Sequence, residues 1–286
     1  MNKVRIIPRL DIKGPNLVKG IRLEGLRVLG SPELFCEHYY TSGADEMIYS
    51  DCVASLFERN SLDDIITKTA QKTFIPLTVS GGIRSVEDIR KVLNAGADKV
   101  SINTAAVKNP KLIKEASELF GSSTIVVTVE AIKQPDGRYL AFIDNGREET
   151  GLEVFGWCKK VEKLGAGEIV ITSVDREGTG EGFDTELIKG VVDNVTIPVI
   201  AHGGSSSVDD VVRMVKETNV SGVSIASAFH YDYVNSGAAS RDLENSSESG
   251  NTRFLKSGLS YRKNETFNIS ALKAALTENN IETRKV

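Results

Sequence analysis

The sequence predicts an α/β fold, a (β/α)₈ TIM barrel built from two similar half-barrels. The first observation behind this prediction is an internal repeat, in which Val79–Ile89 is echoed by Ala201–Val211. The matching glycines Gly81 and Gly203 lie 122 positions apart (203 minus 81), a longer period than the roughly 20–50 residues of solenoid repeats. Short apolar runs that alternate with helical patterns are the second observation. The third is the length of 286 residues, since barrels of this kind typically need about 250.

Eight apolar runs give the predicted strands in chain order. Each run is continuous rather than alternating, as expected for parallel strands that helices cover. The stretch 85–93 illustrates the intervening helices, with Ser85 as N-cap and Gly96 after the C-terminus. The predicted strands are 5–11, 46–51, 75–80, 98–103, 124–130, 168–174, 197–202 and 222–227.

Residues 1–286 are predicted to form a single barrel domain with one insertion. The insertion covers about 235–264 and is rich in Ser, Asn, Gly and Glu, a composition typical of a mobile surface excursion. The stretch 269–276 follows it and predicts a terminal helix that completes the outer ring.

The composition argues against several classes of function. A formal net charge of −4 argues against a nucleic-acid-binding protein, which would normally be basic. No run approaches the length of a membrane span, and no apolar signal-peptide core follows Met1. We therefore expect a cytoplasmic protein. Cys36, Cys52 and Cys158 form no metal-binding spacing, so we expect no metal and no cofactor.

Glycine pairs follow strands three and seven of the predicted barrel. Gly lets backbone N–H groups approach an anion closely, and a helix N-terminus favours negative charge. Steric demands of a tight turn are the alternative explanation for a single pair. Because the pairs repeat, the sequence predicts two anion sites and a substrate with a phosphate at each end. The residues at these strand ends are Gly81-Gly82 with Asn103-Thr104, and Gly203-Gly204 with Ala226-Ser227.

Two carboxylate side chains lie at the ends of opposite strands of the predicted barrel. Asp11 ends strand one and Glu130 ends strand five, which face each other in an eight-stranded ring. Acids on either side of a bound molecule suit general acid–base catalysis, whereas the alternative is that they cap loops or helix starts. His38, His202 and His230 show no triad pattern, so a hydrolytic nucleophile is not indicated.

Four charged residues open strands at the opposite end of the barrel. They are either solvated or form a ring of salt bridges inside the barrel base, where mutual pairing offsets the cost of desolvation. These residues are Arg5, Glu46, Lys99 and Glu168.

Several of these motifs together resemble the cyclase subunit of imidazole glycerol phosphate synthase, of histidine biosynthesis. The resemblance covers about residues 3–233 and resumes in the terminal helix. It implies a barrel that closes an imidazole ring with ammonia delivered through the barrel from a separate glutaminase subunit. The implied substrate is a bis-phosphorylated formimino ribotide, and the products are imidazole glycerol phosphate and an aminoimidazole carboxamide ribotide. The motifs are 5–11, 17–20, 96–106, 165–169 and 175–179.

The resemblance also implies roles for individual residues. Asp11 and Glu130 take the places of the two catalytic acids, and Lys19 lies on the substrate loop. No cysteine carries a glutaminase nucleophile motif, so a glutaminase partner in a heterodimer is implied. One phosphate site matches Gly82, Asn103 and Thr104, the other matches Gly178, Gly204, Ala226 and Ser227, and the ammonia gate matches Arg5, Glu46, Lys99 and Glu168.

Three departures from the family pattern leave alternatives open. Glu130 replaces an Asp, and a misplacement of about one ångström can cost about 100-fold in rate. Arg9 replaces a Cys, and an inward Arg9 would keep nearby acids ionised and constrict the ammonia route. His202 replaces a small residue. The alternatives to a histidine-pathway cyclase are a paralogue, of the kind found with polysaccharide genes, that makes an amidino group on a nucleotide-linked sugar, and a non-catalytic barrel that activates a glutaminase. The two retained carboxylates disfavour the last.

Overall fold

Eight parallel strands close a barrel, as the sequence predicts. The computed structural model describes residues 3–52, 63–236 and 265–284. The barrel strands pair in the order β1-β4-β5-β6-β7-β10-β11-β12, and β12 pairs with β1 to close the ring. Their bounds are β1 Arg5–Lys13, β4 Met47–Asp51, β5 Leu77–Ser80, β6 Lys99–Ile102, β7 Ile125–Lys133, β10 Glu168–Ser173, β11 Val199–His202 and β12 Gly222–Ile225.

Two antiparallel hairpins extend the barrel at its mouth and were not predicted. The hairpin β2 (Asn16–Ile21) and β3 (Glu24–Gly30) pairs with the end of β1. The hairpin β8 (Tyr139–Ile143) and β9 (Glu148–Glu153) pairs with the end of β7. Each hairpin follows the first strand of a half-barrel, so the internal repeat includes them.

Helices surround the barrel, and equivalent helices of the two half-barrels have the same N-cap hydrogen bond. Ser85 Oγ accepts a hydrogen bond from the Asp88 N–H at 3.1 Å, and Ser207 Oγ accepts one from the Asp210 N–H at 3.1 Å. The predicted terminal helix is present. The helices are α1 Pro32–Thr41, α2 Asp63–Ala70, α3 Val86–Asn94, α4 Thr104–Lys108, α5 Lys111–Phe120, α6 Val154–Lys163, α7 Thr185–Val192, α8 Val208–Thr218, α9 Ser227–Asn235 and α10 Ile269–Glu278, with a 3₁₀ turn at Ser122–Thr124.

The core has two parts. The larger part packs the helices against the outer face of the barrel. The smaller part is a separate apolar layer inside the barrel, and all its members are buried. This layer fills the interior between the base and the mouth of the barrel, as the inward side chains of such barrels do. It consists of Ile7, Ile48, Val126, Val170 and Ile200.

The first glycine of each repeated pair is required for steric reasons. Gly81 and Gly203 both have a φ of +98°. A Cβ on Gly81 would lie 2.4 Å from the carbonyl oxygen of Asp51, and one on Gly203 would lie 2.7 Å from that of Ser173. Backbone crowding by the preceding strand therefore accounts for these two positions without any ligand.

The described residues stop short of most of the predicted insertion. Within 235–264, Asn235 ends α9 and residues 237–264 lie outside the described ranges. No helix in the described ranges combines the length and apolar character needed to cross a membrane.

Candidate active site

The four charged residues at the barrel base form a closed ring of ion pairs. Arg5 Nη1 lies 2.7 Å from Glu46 Oε1, and Arg5 also pairs with Glu168. Lys99 Nζ lies 3.1 Å from Glu46 Oε2 and 3.2 Å from Glu168 Oε2. The structure confirms the ring rather than the solvated alternative. Its side chains stay partly accessible, with 23% exposure for Arg5 and 17% for Lys99.

At the other end of the barrel, a cavity of about 370 Å³ opens between the ends of β4 to β7. Four of the predicted site residues line it, and so does the inward-pointing Arg9. The predicted residues on its wall are Gly82, Asn103, Thr104 and Glu130.

Glu130 presents a carboxyl group to this cavity from a buried position. Its Oε2 accepts a hydrogen bond from the Gly146 N–H at 2.8 Å. Burial raises the pKa of Glu130 to about 7, although the charge of Arg9 and the Gly146 hydrogen bond act in the opposite direction. A carboxyl group that titrates near neutral pH can both donate and accept a proton there, which suits acid–base catalysis.

Asp11 lies in a buried network of charges. Its Oδ1 accepts from Arg9 Nε at 3.0 Å, and its Oδ2 accepts from Lys19 Nζ at 3.5 Å. Burial would raise the pKa of Asp11, but the charges of Arg9 and Lys19 outweigh burial and hold it well below its usual value. Asp11 is therefore an ionised carboxylate at neutral pH.

The expectation that both acids line one cavity holds for Glu130 and not for Asp11. Asp11 is 4% exposed and is not among the residues that line the cavity. Arg9 is hydrogen-bonded to Asp11 and itself lines the cavity. The guanidinium of Arg9 therefore covers Asp11 from that side.

Arg9 points into the barrel, which settles the orientation that the sequence left open. It is 5% exposed, and its Nη2 donates to Ser50 Oγ on the neighbouring strand β4 at 3.3 Å. Arg5, Ile7 and Arg9 alternate along β1 and share one face. Arg5 belongs to the ring of ion pairs at the base, Ile7 to the apolar layer inside the barrel and Arg9 to the wall of the cavity.

Lys19 was expected on the substrate loop. It lies in the strand β2, within the connection from β1 to α1, and it is 2% exposed. Its ammonium group pairs with Glu177 as well as Asp11. Glu177 was not predicted as a site residue, although it lies in the motif 175–179 that carries the family resemblance.

The side chains of Asn103 and Thr104 are tied to the second hairpin. Asn103 Nδ2 donates to the carbonyl of Phe142 at 3.2 Å, and Thr104 Oγ1 accepts from the Asp144 N–H at 3.1 Å. Lys108 Nζ lies 3.7 Å from the Asp144 carboxylate at the cavity edge. The hairpin therefore shapes this end of the site.

The second predicted anion site forms a smaller pocket of about 20 Å³ at the ends of β11 and β12. All four residues predicted for it converge there. His202, Ser205 and Ser224 complete one side. The predicted residues are Gly178, Gly204, Ala226 and Ser227.

Comparisons with known proteins place the chain in a family. The sequence profile described as "Histidine biosynthesis protein" matches residues 5–235. The imidazole glycerol phosphate synthase subunit HisF of Legionella pneumophila is 55% identical over 210 residues, which cover 73% of this chain and 99% of that protein. The chain belongs to the HisF family. This confirms the resemblance to the cyclase subunit predicted from the sequence.

Two further HisF proteins show similar agreement. The HisF subunit of Methanopyrus kandleri is 46% identical over 245 residues, which cover 79% of this chain and 90% of that protein. The HisF subunit of Bacillus cereus strain Q1 is 45% identical over 241 residues, which cover 84% of this chain and 96% of that protein. HisF is the cyclase subunit of imidazole glycerol phosphate synthase, a lyase that depends on a glutamine amidotransferase in histidine biosynthesis.

Proposed function

We propose that this HisF chain closes the imidazole ring of imidazole glycerol phosphate, using a bis-phosphorylated formimino ribotide and ammonia from a glutaminase partner. The observation that carries this proposal is Glu130, a buried acid on the wall of the large cavity. Anion-site residues flank it at two separate strand pairs. Gly82 and Thr104 lie in the cavity, and Gly204 and Ser227 lie in the smaller pocket.

The two acids take different roles in this proposal. Glu130 exchanges protons with the reacting nitrogen and carbon atoms, because its pKa of about 7 makes both of its forms available at neutral pH. Asp11 stays ionised and stabilises positive charge that develops on the substrate. For this role Arg9 has to swing away from Asp11 when the substrate enters.

Ammonia enters at the opposite end of the barrel. The ring of Arg5, Glu46, Lys99 and Glu168 closes the base, and the apolar layer inside the barrel lies above it. Neutral ammonia crosses an apolar layer at far lower cost than ammonium does. Opening of the ring would therefore admit ammonia and exclude ions.

The glutaminase partner docks on the barrel base in this proposal. Phe74, three residues before β5, is 79% exposed, and Leu119 near the C-terminus of α5 is 60% exposed. Both lie on the base side, since barrel strands start there and the surrounding helices end there. Exposed large apolar side chains at one face support a protein interface.

Arg9 supports a second candidate function, amidino-group formation on a nucleotide-linked sugar. Arg9 covers Asp11 on the cavity side and adds a fixed positive charge to the wall. A guanidinium binds phosphate and carboxylate oxygens well, and the diphosphate of a nucleotide sugar offers such oxygens. The same ammonia route would serve both reactions.

Ammonium-driven turnover distinguishes the two functions. Purified protein is incubated with an ammonium salt and either the formimino ribotide or a nucleotide-linked acetamido-sugar. The proposal predicts that ribotide absorbance is lost and that imidazole glycerol phosphate is formed. Turnover of the sugar alone would establish the second function. Turnover of neither substrate, with stimulation of a glutaminase, would show a binding protein.

A further inference from the structure

His202 is the last residue of β11 and is 3% exposed. Its Nδ1 lies 3.0 Å from the carbonyl oxygen of Ser224. A carbonyl oxygen only accepts hydrogen bonds, so Nδ1 carries the proton. Burial, with a further contribution from the charge of Arg9, lowers the pKa of His202 to about 3. The ring is therefore neutral, and its Nε2 presents a lone pair.

This lone pair has no partner among the described residues. The Nε2 atom of His202 is buried and makes no hydrogen bond, and the same holds for the hydroxyl groups of Ser205 and Ser224. All three residues line the smaller pocket beside Gly204 and Ser227. Since buried polar atoms are nearly always paired, three such atoms around one pocket indicate a ligand with matching groups.

The chemistry of Nε2 restricts what that ligand can be. An ionised phosphate oxygen only accepts hydrogen bonds and would be repelled by the lone pair. A hydroxyl group can donate to it. A phosphate ester that carries its own hydroxyl group therefore satisfies both the anion pocket and the Nε2 lone pair.

We propose that His202 binds the substrate directly, accepting through Nε2 a hydrogen bond from a hydroxyl group adjacent to the phosphate held in the smaller pocket. The ligand class is the phosphate monoester of a polyol. This inference rests on the anion pocket of the proposed function. It adds a specificity-determining residue, because phosphates without a neighbouring hydroxyl leave Nε2 unpaired.

Calorimetric titration with two probes tests the proposal. Glycerol 3-phosphate carries the hydroxyl groups and propyl phosphate lacks them, and both titrations are fitted with two sites to separate the smaller pocket from the large cavity. The wild type is expected to prefer glycerol 3-phosphate at one site by about fivefold, as for one net hydrogen bond. His202→Phe removes the acceptor and is expected to abolish the preference. His202→Gln supplies an amide oxygen and is expected to keep part of it.

Two control variants show which of the two sites is responsible for the preference. Lys108→Met removes an exposed cation at the edge of the large cavity and is expected to leave the preference unchanged. Ser227→Asp puts a negative charge in the smaller pocket and is expected to abolish binding of both probes at that site. A preference that survives His202→Phe, while Ser227→Asp still abolishes binding, would overturn the role of His202 alone. Propyl phosphate binding that Ser227→Asp leaves unchanged at both sites would overturn the anion pocket and the inference with it.

Discussion

Arg9 sets the electrostatics of the candidate active site. It donates to Asp11, lines the cavity and lowers the pKa of the buried Glu130 through its charge. An arginine stays protonated at every pH of interest. Its charge therefore acts on both acids at once, and its effects on each can be measured separately.

Replacement of Arg9 is expected to shift the pH profile. In Arg9→Met, Glu130 loses a neighbouring positive charge while its burial is kept, so its pKa rises above about 7. The apparent pKa in the profile of ammonium-driven kcat is expected to move to higher pH. Lys108→Met, which removes an exposed cation at the cavity edge, is the matched control and is expected to shift the profile less. Equal profiles in wild type and Arg9→Met would contradict this account of Glu130.

Burial of Glu130 also predicts how stability depends on pH. The pKa of about 7 in the folded chain lies above the ordinary value of 4.5, so the folded state binds the proton more tightly. Stability is therefore expected to fall as pH rises from about 4.5 to 7, by roughly 3 kcal/mol from this group. Urea unfolding at a series of pH values measures it. Glu130→Gln serves as the control, and the difference between the two free energies of unfolding should have this slope.

At the scale of elements, α10 is anchored to the barrel by a buried ion pair. Lys273 Nζ lies 2.7 Å from Asp45 Oδ1, while Asp45 Oδ2 accepts from the Ile6 N–H at 2.7 Å. Both ionic side chains are almost fully buried, with 8% and 4% exposure. The pair joins the helix that follows the insertion to the start of β1 and the segment leading into β4.

Breaking this pair is expected to destabilise the fold. Lys273→Met leaves the Asp45 carboxylate buried without its cation, which typically costs about 3–5 kcal/mol. Lys189→Met removes a helical pair whose side chains are more than half exposed, and such pairs contribute about 0.5 kcal/mol or less. Chemical denaturation of both variants gives the comparison. A loss in Lys273→Met no larger than in the control would show that α10 is held by apolar packing instead.

The two hairpins were not predicted from the sequence. The barrel strands were predicted because continuous apolar runs report burial on both faces. The strands β3 and β9 carry polar residues at the solvent boundary and give no continuous apolar run. The strand β8 is a continuous apolar run of five residues, but it is as short as a barrel strand and follows β7 without a helix between them. One signal was present: Asp144 and Asn145, with φ of 52° and 63°, precede Gly146, and Asx residues before glycine are typical of hairpin turns. Because the turn was missed, its contributions to the site through Asp144 and Gly146 were missed too.

The positions of the site residues could be predicted from the sequence better than the contacts between their side chains. Parallel strands deliver their carboxyl ends to one face, so Glu130, Thr104 and Ser227 were predicted there from topology. The covering of Asp11 by Arg9 depends on one rotamer in a crowded interior, and no sequence pattern reports that. The same holds for the pairing of Lys19 with Glu177, which lie far apart in the chain.

At the scale of the whole molecule, the base ring and the mouth cavity lie at opposite ends of one interior. Lys99 pairs with both Glu46 and Glu168 and so holds the ring together across the barrel. Its removal would leave two carboxylates with Arg5 as their cation in the ring. If the ring is the ammonia gate proposed above, ammonia passage would then lose its control without any change at Glu130.

Lys99→Ala is therefore expected to impair glutamine-driven turnover more than ammonium-driven turnover. In the proposed route, ammonia from a glutaminase has to pass the base, whereas ammonia added to the solution can also reach the mouth of the barrel directly. The ratio of the two rates, measured with and without the partner, is the readout. Lys114→Ala, in an exposed pair on α5, is the control. Equal losses in both reactions would refute the assignment of the ring as an ammonia gate.

In the proposed mechanism, the two buried carboxylates Asp11 and Glu130, whose pKa values are shifted in opposite directions, perform the chemistry. The most direct test is single-turnover conversion of the formimino ribotide with ammonium salt by wild type, Asp11→Asn and Glu130→Gln. Each substitution is expected to lower the rate by at least about 100-fold, the range typical of a lost acid–base group for Glu130 and of a lost electrostatic contact for Asp11, while the ribotide still binds through its phosphates. Rates within about threefold of wild type in either variant, with folding intact, would contradict the account.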